Sequence, residues 1–101
     1  MTAINLPVSP ELNIGCAAVQ REQWLAALAE QPVDQPLRLS LSEVDDIDSA
    51  GVQLLLALRA TAREEGRSLR LEAASGAVRS ALTTFGLLAV IDEDGVGDAA
   101  D

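Results

Sequence analysis

Apolar residues recur along this chain with two spacings, and the spacing sets the first reading of its structure. Near the start, Ile4, Leu6 and Val8 alternate with Asn5 and Pro7. A period of two predicts a short strand, and the proline confines it to a sheet edge because it has no N–H for the ladder. Asn13 and Gly15 read as a turn. From Ala17 to Glu30 the pattern predicts a helix, with Trp24, Leu25 and Leu28 on one side, joined by Ala17, Ala18 and Ala29. Gln20, Glu22 and Gln23 fill the other side, and Pro32 ends the helix.

After Pro36, Leu37, Leu39 and Leu41 alternate with Arg38, Ser40 and Ser42, which predicts a strand with one buried face. Val44 and Ile47 then carry apolar side chains through the acidic connection Glu43 to Asp48. A second helix is expected from about Ala50 to Glu65. Its core stripe is Gly51, Leu54, Leu55, Leu58 and Ala62, with Gly66 as the stop. Leu69 and Leu71 alternate with Arg70 and Glu72 as another half-buried strand. Ser75 is placed to cap a third helix whose stripe is Val78, Ala81, Leu82 and Phe85, closed by Gly86. Leu87 to Ile91 is expected as a last short strand, and residues 92–101 as a frayed acidic, Gly-rich tail.

A helix between the Leu37 and Leu69 strands acts as a right-handed crossover, so those strands are parallel. Their polar alternate faces predict helices on one side only, since a doubly wound sheet would show continuous apolar strands. The expected architecture is a two-layer α/β sandwich with a mixed sheet of four to five strands. With 101 residues the chain is one domain, its core spanning about 4–91, without repeat or linker.

Composition narrows the function. Apolar residues make up 49%, but Trp24 and Phe85 are the only aromatics, so the core is aliphatic. The net charge is −9; all seven cations are arginines, and they are scattered. That argues against nucleic acid and anionic membrane surfaces and favours a protein with a basic face. No apolar run approaches the length that spans a bilayer, and the N-terminus lacks a signal-peptide pattern. The single cysteine, Cys16, forms no internal disulfide, so a cytoplasmic location is expected.

Little in the chain supports catalysis. There is no histidine, which removes His-based triads and His metal sites. Cys16 has no base nearby in sequence and reads as a small buried hydrophobe. Asp45, Asp46 and Asp48 could hold Mg²⁺ in principle, but no phosphate site accompanies them, and a solvated acidic loop fits better. A phosphoaspartate receiver would need more elements and a late lysine. No phosphate-cradling glycine loop is present. No cofactor or metal is expected, and the chain reads as a binding module rather than an enzyme.

The informative segment is Asp48-Ser49-Ala50-Gly51 at a helix start. Asp48 or Ser49 caps the helix there, worth roughly 1 kcal/mol. A second role is possible for Ser49 as a phosphoacceptor at a helix N-terminus, an anion-friendly place, although Asp45, Asp46 and Asp48 would repel the phosphate. On the residues alone, capping is the stronger reading.

In this stretch the sequence resembles the STAS family, named after sulfate transporters and anti-sigma-factor antagonists. The matching residues are Leu41-Ser42, Val44, Ile47-Asp48-Ser49-Ala50-Gly51 and Val52. Gly66-Arg67-Ser68-Leu69-Arg70-Leu71 resembles the family's Gly-x-x-Leu-x-Leu strand, and Ala77 to Leu82 with Phe85-Gly86-Leu87 its third helix. The resemblance covers about residues 10–91. Pro10-Glu11-Leu12-Asn13 stands where the family has Gly-Glu-Leu-Asp, so Asn13 keeps the shape without the charge, and Val52 replaces the usual leucine.

The resemblance implies an anti-sigma-factor antagonist type of protein. In such members the serine matching Ser49 is phosphorylated by a partner kinase that doubles as an anti-sigma factor, and the unphosphorylated form binds that partner. The implied contact surface is Asn13, Asp46, Asp48, Ser49, Ala50, Gly51 and Val52. The implied partner is an anti-sigma factor and serine kinase, or a chemotaxis-type signalling kinase. The alternative is a constitutive STAS subunit of a lipid-transport ABC complex.

Overall fold

The leucine alternation after Pro36 forms the central strand of a three-stranded parallel sheet in a computed structural model that describes residues 3–91. In chain order the elements are β1 (Ile4–Asn5), β2 (Glu11–Leu12), α1 (Ala17–Glu30), β3 (Leu37–Ser40), β4 (Asp46–Ile47), α2 (Ser49–Glu64), β5 (Leu69–Glu72) and α3 (Gly76–Thr84). A 3₁₀ turn, Leu88–Val90, follows. β3 lies between β1 and β5, in register Ile4↔Leu37 and Leu37↔Leu69. The expected crossover is therefore present, with α2 joining two neighbouring parallel strands.

Leu37, Leu39 and Leu71 point to the helices and share one core with Trp24, Leu28, Leu55, Leu58, Val78 and Leu82. Their neighbours Arg38, Ser40, Arg70 and Glu72 turn to the opposite face. That face is not uniformly wet. Glu72 is buried between Arg38 Nε at 2.8 Å and Arg70 Nε at 3.3 Å, which supply the charge a buried carboxylate needs.

The expected sheet of four to five strands is instead five strands in two sheets: β2 and β4 form a separate parallel pair. Every strand pairing among the described residues is parallel. Two-residue strands carry no readable period, so β2 and β4 escaped the pattern. β1 is as short, since Pro7 interrupts the ladder one residue after the Leu6 N–H bonds Arg38 O at 2.9 Å.

Three local expectations need correction. Leu87 to Ile91 is not a strand. Gly86, at φ +69°, turns the chain so that the Leu87 N–H reaches Leu82 O, and i→i−3 bonds close the 3₁₀ turn. Phe85 is 51% exposed: α3 ends at Thr84, and Val90 and Ile91 cover the core in its place. On α1 the buried stripe is Gln20, Trp24 and Leu28, whereas Leu25 is 42% exposed. Gln20 is buried because its amide is satisfied: Oε1 accepts from the Ser9 N–H at 2.6 Å and Nε2 donates to Pro7 O at 3.3 Å. The tail expected over 92–101 lies outside the described residues.

Candidate functional site

β2 and β4 run side by side, with Glu11 paired to Asp46 and Leu12 to Ile47. The Asp45 N–H bonds Pro10 O at 2.9 Å and continues the ladder. β4 is one residue from α2 and β2 reaches α1 through a four-residue turn, so the N-termini of α1 and α2 emerge together at one end of this pair.

Asn13 organises the first of those starts. Its carbonyl accepts from the N–H groups of Cys16 and Ala17, both at 2.9 Å, and its Oδ1 accepts from the Gly15 N–H at 3.0 Å. Its Nδ2 donates to Asp46 Oδ2 at 2.7 Å, which joins the two turns. An aspartate at position 13 would place a second carboxylate against Asp46, so the amide suits this sequence.

Asp48 organises the second start and resolves the capping alternative. It is the N-cap of α2, in extended backbone, with Oδ1 accepting from the Gly51 N–H at 3.1 Å. Its Oδ2 accepts from the Ile14 N–H at 3.0 Å, so one carboxylate ties both helix starts. These N–H groups, Ile14 first and Gly51 next, hold the Asp48 carboxyl below its ordinary value because they bond the ionised form.

Ser49, released from capping, is exposed as the first residue of α2. Asp46 is also exposed, and Asn13, Asp48 and Ala50 are half-buried around it. Gly51 and Val52 are buried and offer no surface of their own. Gly51 lies where the helix touches β2: a Cβ there would stand 2.8 Å from the Leu12 carbonyl carbon. Val52 sits one step on, where the helical phase turns it into the core at 3% exposure. Of the residues the motif singles out, Asn13, Asp46, Asp48, Ser49 and Ala50 reach the surface, and the other two lie beneath them.

Ile14 belongs to this surface and was missed by sequence reasoning. At 76% exposure it is the most exposed large apolar residue among the described residues. Its signal was an apolar residue inside the Asn13-Ile14-Gly15 turn, where nothing could bury it. Ile14 and Ala50 begin a shallow groove between α1 and α2 that continues past Arg21.

The electrostatics are one-sided. Asp45, Asp46 and Asp48 make no ion pair among the described residues. No group of three or more Asp, Glu, His or Cys forms a metal site among those residues either. Cys16 is half-buried rather than fully buried, with its thiol 3.6 Å from Glu11 Oε1. Partial desolvation first, and then Glu11 and Asp46, push that thiol up and keep it protonated. Both Asp48 oxygens are occupied by backbone donors, so Asp48 is held in place and does not face Ser49 as a free base. What the arrangement presents is an accessible hydroxyl on a rigid acidic rim beside an apolar groove. Among the described residues, no helix is long and apolar enough to cross a membrane.

Comparison with curated proteins and with solved structures returned no match. A family model does match: the family described as "Mlab, STAS domain", over residues 3–92, nearly the whole of the chain. With the helix-start motif, the three helices and the parallel sheet on the page, the chain belongs to the STAS domain family.

Proposed function

We propose that this STAS domain is a non-enzymatic, cytoplasmic regulatory module whose binding to a protein partner is switched by phosphorylation of Ser49. The partner class is an anti-sigma factor and serine kinase, or a chemotaxis-type signalling kinase. The observation that carries the reading is the exposure of Ser49 beside a carboxylate already fully engaged by backbone N–H groups. A phosphate on Ser49 would bring one and a half to two negative charges to a rim whose carboxylates make no ion pair among the described residues. Docking would then require desolvating that group, which is strongly unfavourable unless the partner sets a cation directly against it. Modification therefore blocks the surface without altering the fold beneath it.

The test is to incubate the protein with its cognate kinase and ATP, map phosphate by mass spectrometry, and compare partner binding of wild type, Ser49→Asp and Ser49→Ala. Phosphate on Ser49, weakened binding by Ser49→Asp and retained binding by Ser49→Ala support the switch. Phosphate only elsewhere, or equal binding by wild type and Ser49→Asp, overturns it.

A second reading, a constitutive STAS subunit of a lipid-transport ABC complex, draws on a different feature. The surface is already ordered by Asp48 and Asn13 with Ser49 unmodified, so docking needs no chemical event to form it. Binding to an ATPase subunit that is indifferent to Ser49→Asp would favour this reading.

A further inference from the structure

We propose that the outward face of α1 is a homodimer interface, on which a second copy of this chain lays its own α1 antiparallel. The helix is apolar on two sides. To one side of the buried Gln20, Trp24 and Leu28, the exposed residues Ala18, Glu22, Leu25 and Ala29 follow one another at the alternating four- and three-residue steps of a helix-pairing seam, with Ala18 and Leu25 also lining the groove toward α2. Val19, 62% exposed, flanks this seam, and the exposed Ile14 and Val33 extend the apolar surface beyond both ends of the helix. Large apolar side chains left exposed along one helix face and at both its ends are the kind of feature that an interaction site shows.

Charge selects the occupant. Arg21 lines the groove beside the seam, and neither it nor Glu22 makes an ion pair among the described residues. In an antiparallel two-fold pairing centred between them, Arg21 meets Glu22 of the second copy and Glu22 meets its Arg21. The same register sets small Ala18 against large Leu25, and Leu25 against Ala18. Two unpaired opposite charges become two reciprocal pairs, and the small residue receives the large one. The net charge of −9 opposes the approach of two copies in general, so reciprocal Arg21–Glu22 pairing is what a contact between them requires. The inference does not depend on the reading of Ser49.

Sedimentation velocity of the full chain over a roughly hundredfold concentration range tests it, because mass action makes a reversible dimer concentration-dependent. The expected result is a shift from the 10.6 kDa monomer toward twice that mass. Arg21→Glu should weaken association roughly tenfold or more, about 1.4 kcal/mol, and adding Glu22→Arg should restore it. Leu25→Glu should abolish it. All three positions are exposed, and far-UV circular dichroism confirms that the variants are folded. A monomer at every concentration, which would leave the face to another protein or to solvent, overturns the proposal. So does a dimer indifferent to Arg21→Glu.

Discussion

Gly51 lies directly against the backbone of Leu12: a Cβ at residue 51 would stand 2.8 Å from the Leu12 carbonyl carbon and 2.9 Å from Ile47 Cγ1. Backbone cannot rotate away as a side chain can, so α2 would have to lift off the β2–β4 pair. In an ordinary helix, replacing glycine by alanine stabilises by about 1 kcal/mol. Here the sign is reversed, and Gly51→Ala should destabilise by about 1–3 kcal/mol or more, as overpacking does. Urea unfolding checks it; an unchanged or higher midpoint would mean that the close approach is not maintained in solution.

Asp48 gives the domain an acid-sensitive joint. Its folded carboxyl is held below the ordinary value by the Ile14 N–H and then the Gly51 N–H. A folded pKa below the unfolded one means that this stabilisation is fully present above the unfolded value. It is lost as pH falls from there through the folded value. Asp48→Asn, which cannot ionise, should be less stable than wild type at neutral pH, and the difference should shrink as pH is lowered through the acid range. Paired thermal melts from neutral to acid pH measure this. A stability difference that stays constant with pH would remove the carboxylate's charge from the explanation.

Much of the fold was legible because its long elements have long patterns. The Leu37–Leu41 alternation and the Leu54, Leu55 and Leu58 stripe marked β3 and α2 directly, and all these leucines are buried. What escaped was decided at a distance or in very few residues. Gln20 looked like a solvent-facing residue until Pro7 and Ser9 supplied partners from another segment. β2 and β4 are two residues each, below the reach of any periodicity. The site motif was legible in position but not in division of labour. Asp48-Ser49-Ala50-Gly51-Val52 reads as one patch in sequence, while the helical turn sends Ser49 outward and Gly51 and Val52 inward.

Arg67 is another contribution that no local pattern reveals. Its Nη2 donates to Leu28 O at 2.6 Å and Gln31 O at 3.1 Å, and its Nη1 donates to Pro32 O at 3.2 Å. A residue after α2 therefore caps the C-terminus of α1, where carbonyls lack intrahelical partners and the dipole favours a cation. Arg67→Met should cost about 1–3 kcal/mol because carbonyls lose their donors. Arg67→Lys should recover only part of that, since one ammonium cannot match the guanidinium fork. Hydrogen exchange at the last turn of α1, together with chemical denaturation, reads both effects. Full rescue by lysine would show that charge alone matters.

Leu55 and Phe85 reverse the ordinary ranking of side-chain size. Leu55 has no exposure, whereas Phe85 is half-exposed at the end of α3. Leu55→Ala should destabilise by roughly 2–5 kcal/mol, the range for a buried leucine. Phe85→Ala should cost well below the roughly 3–5 kcal/mol of a buried phenylalanine. Equal losses in denaturant melts would place Phe85 in the core in solution.

Ser49 and Gly51, two residues apart on the same helix, should separate function from folding. Ser49 is exposed, and the cap of α2 is supplied by Asp48. Neither Ser49→Ala nor Ser49→Asp removes a core contact or the cap bond from the Gly51 N–H. Surface substitutions away from such features usually change stability by no more than about 0.5 kcal/mol. An aspartate at the first helical position also meets the positive end of the dipole, which offsets part of its repulsion from Asp46 and Asp48. Both variants should therefore melt close to wild type, while Gly51→Ala melts lower. If Ser49→Asp loses stability comparably to Gly51→Ala, its loss of partner binding would report a damaged fold instead of a blocked surface. Denaturation must accordingly be measured on the same preparations as binding, and a wild-type melt combined with lost binding is the result that supports a switch at Ser49.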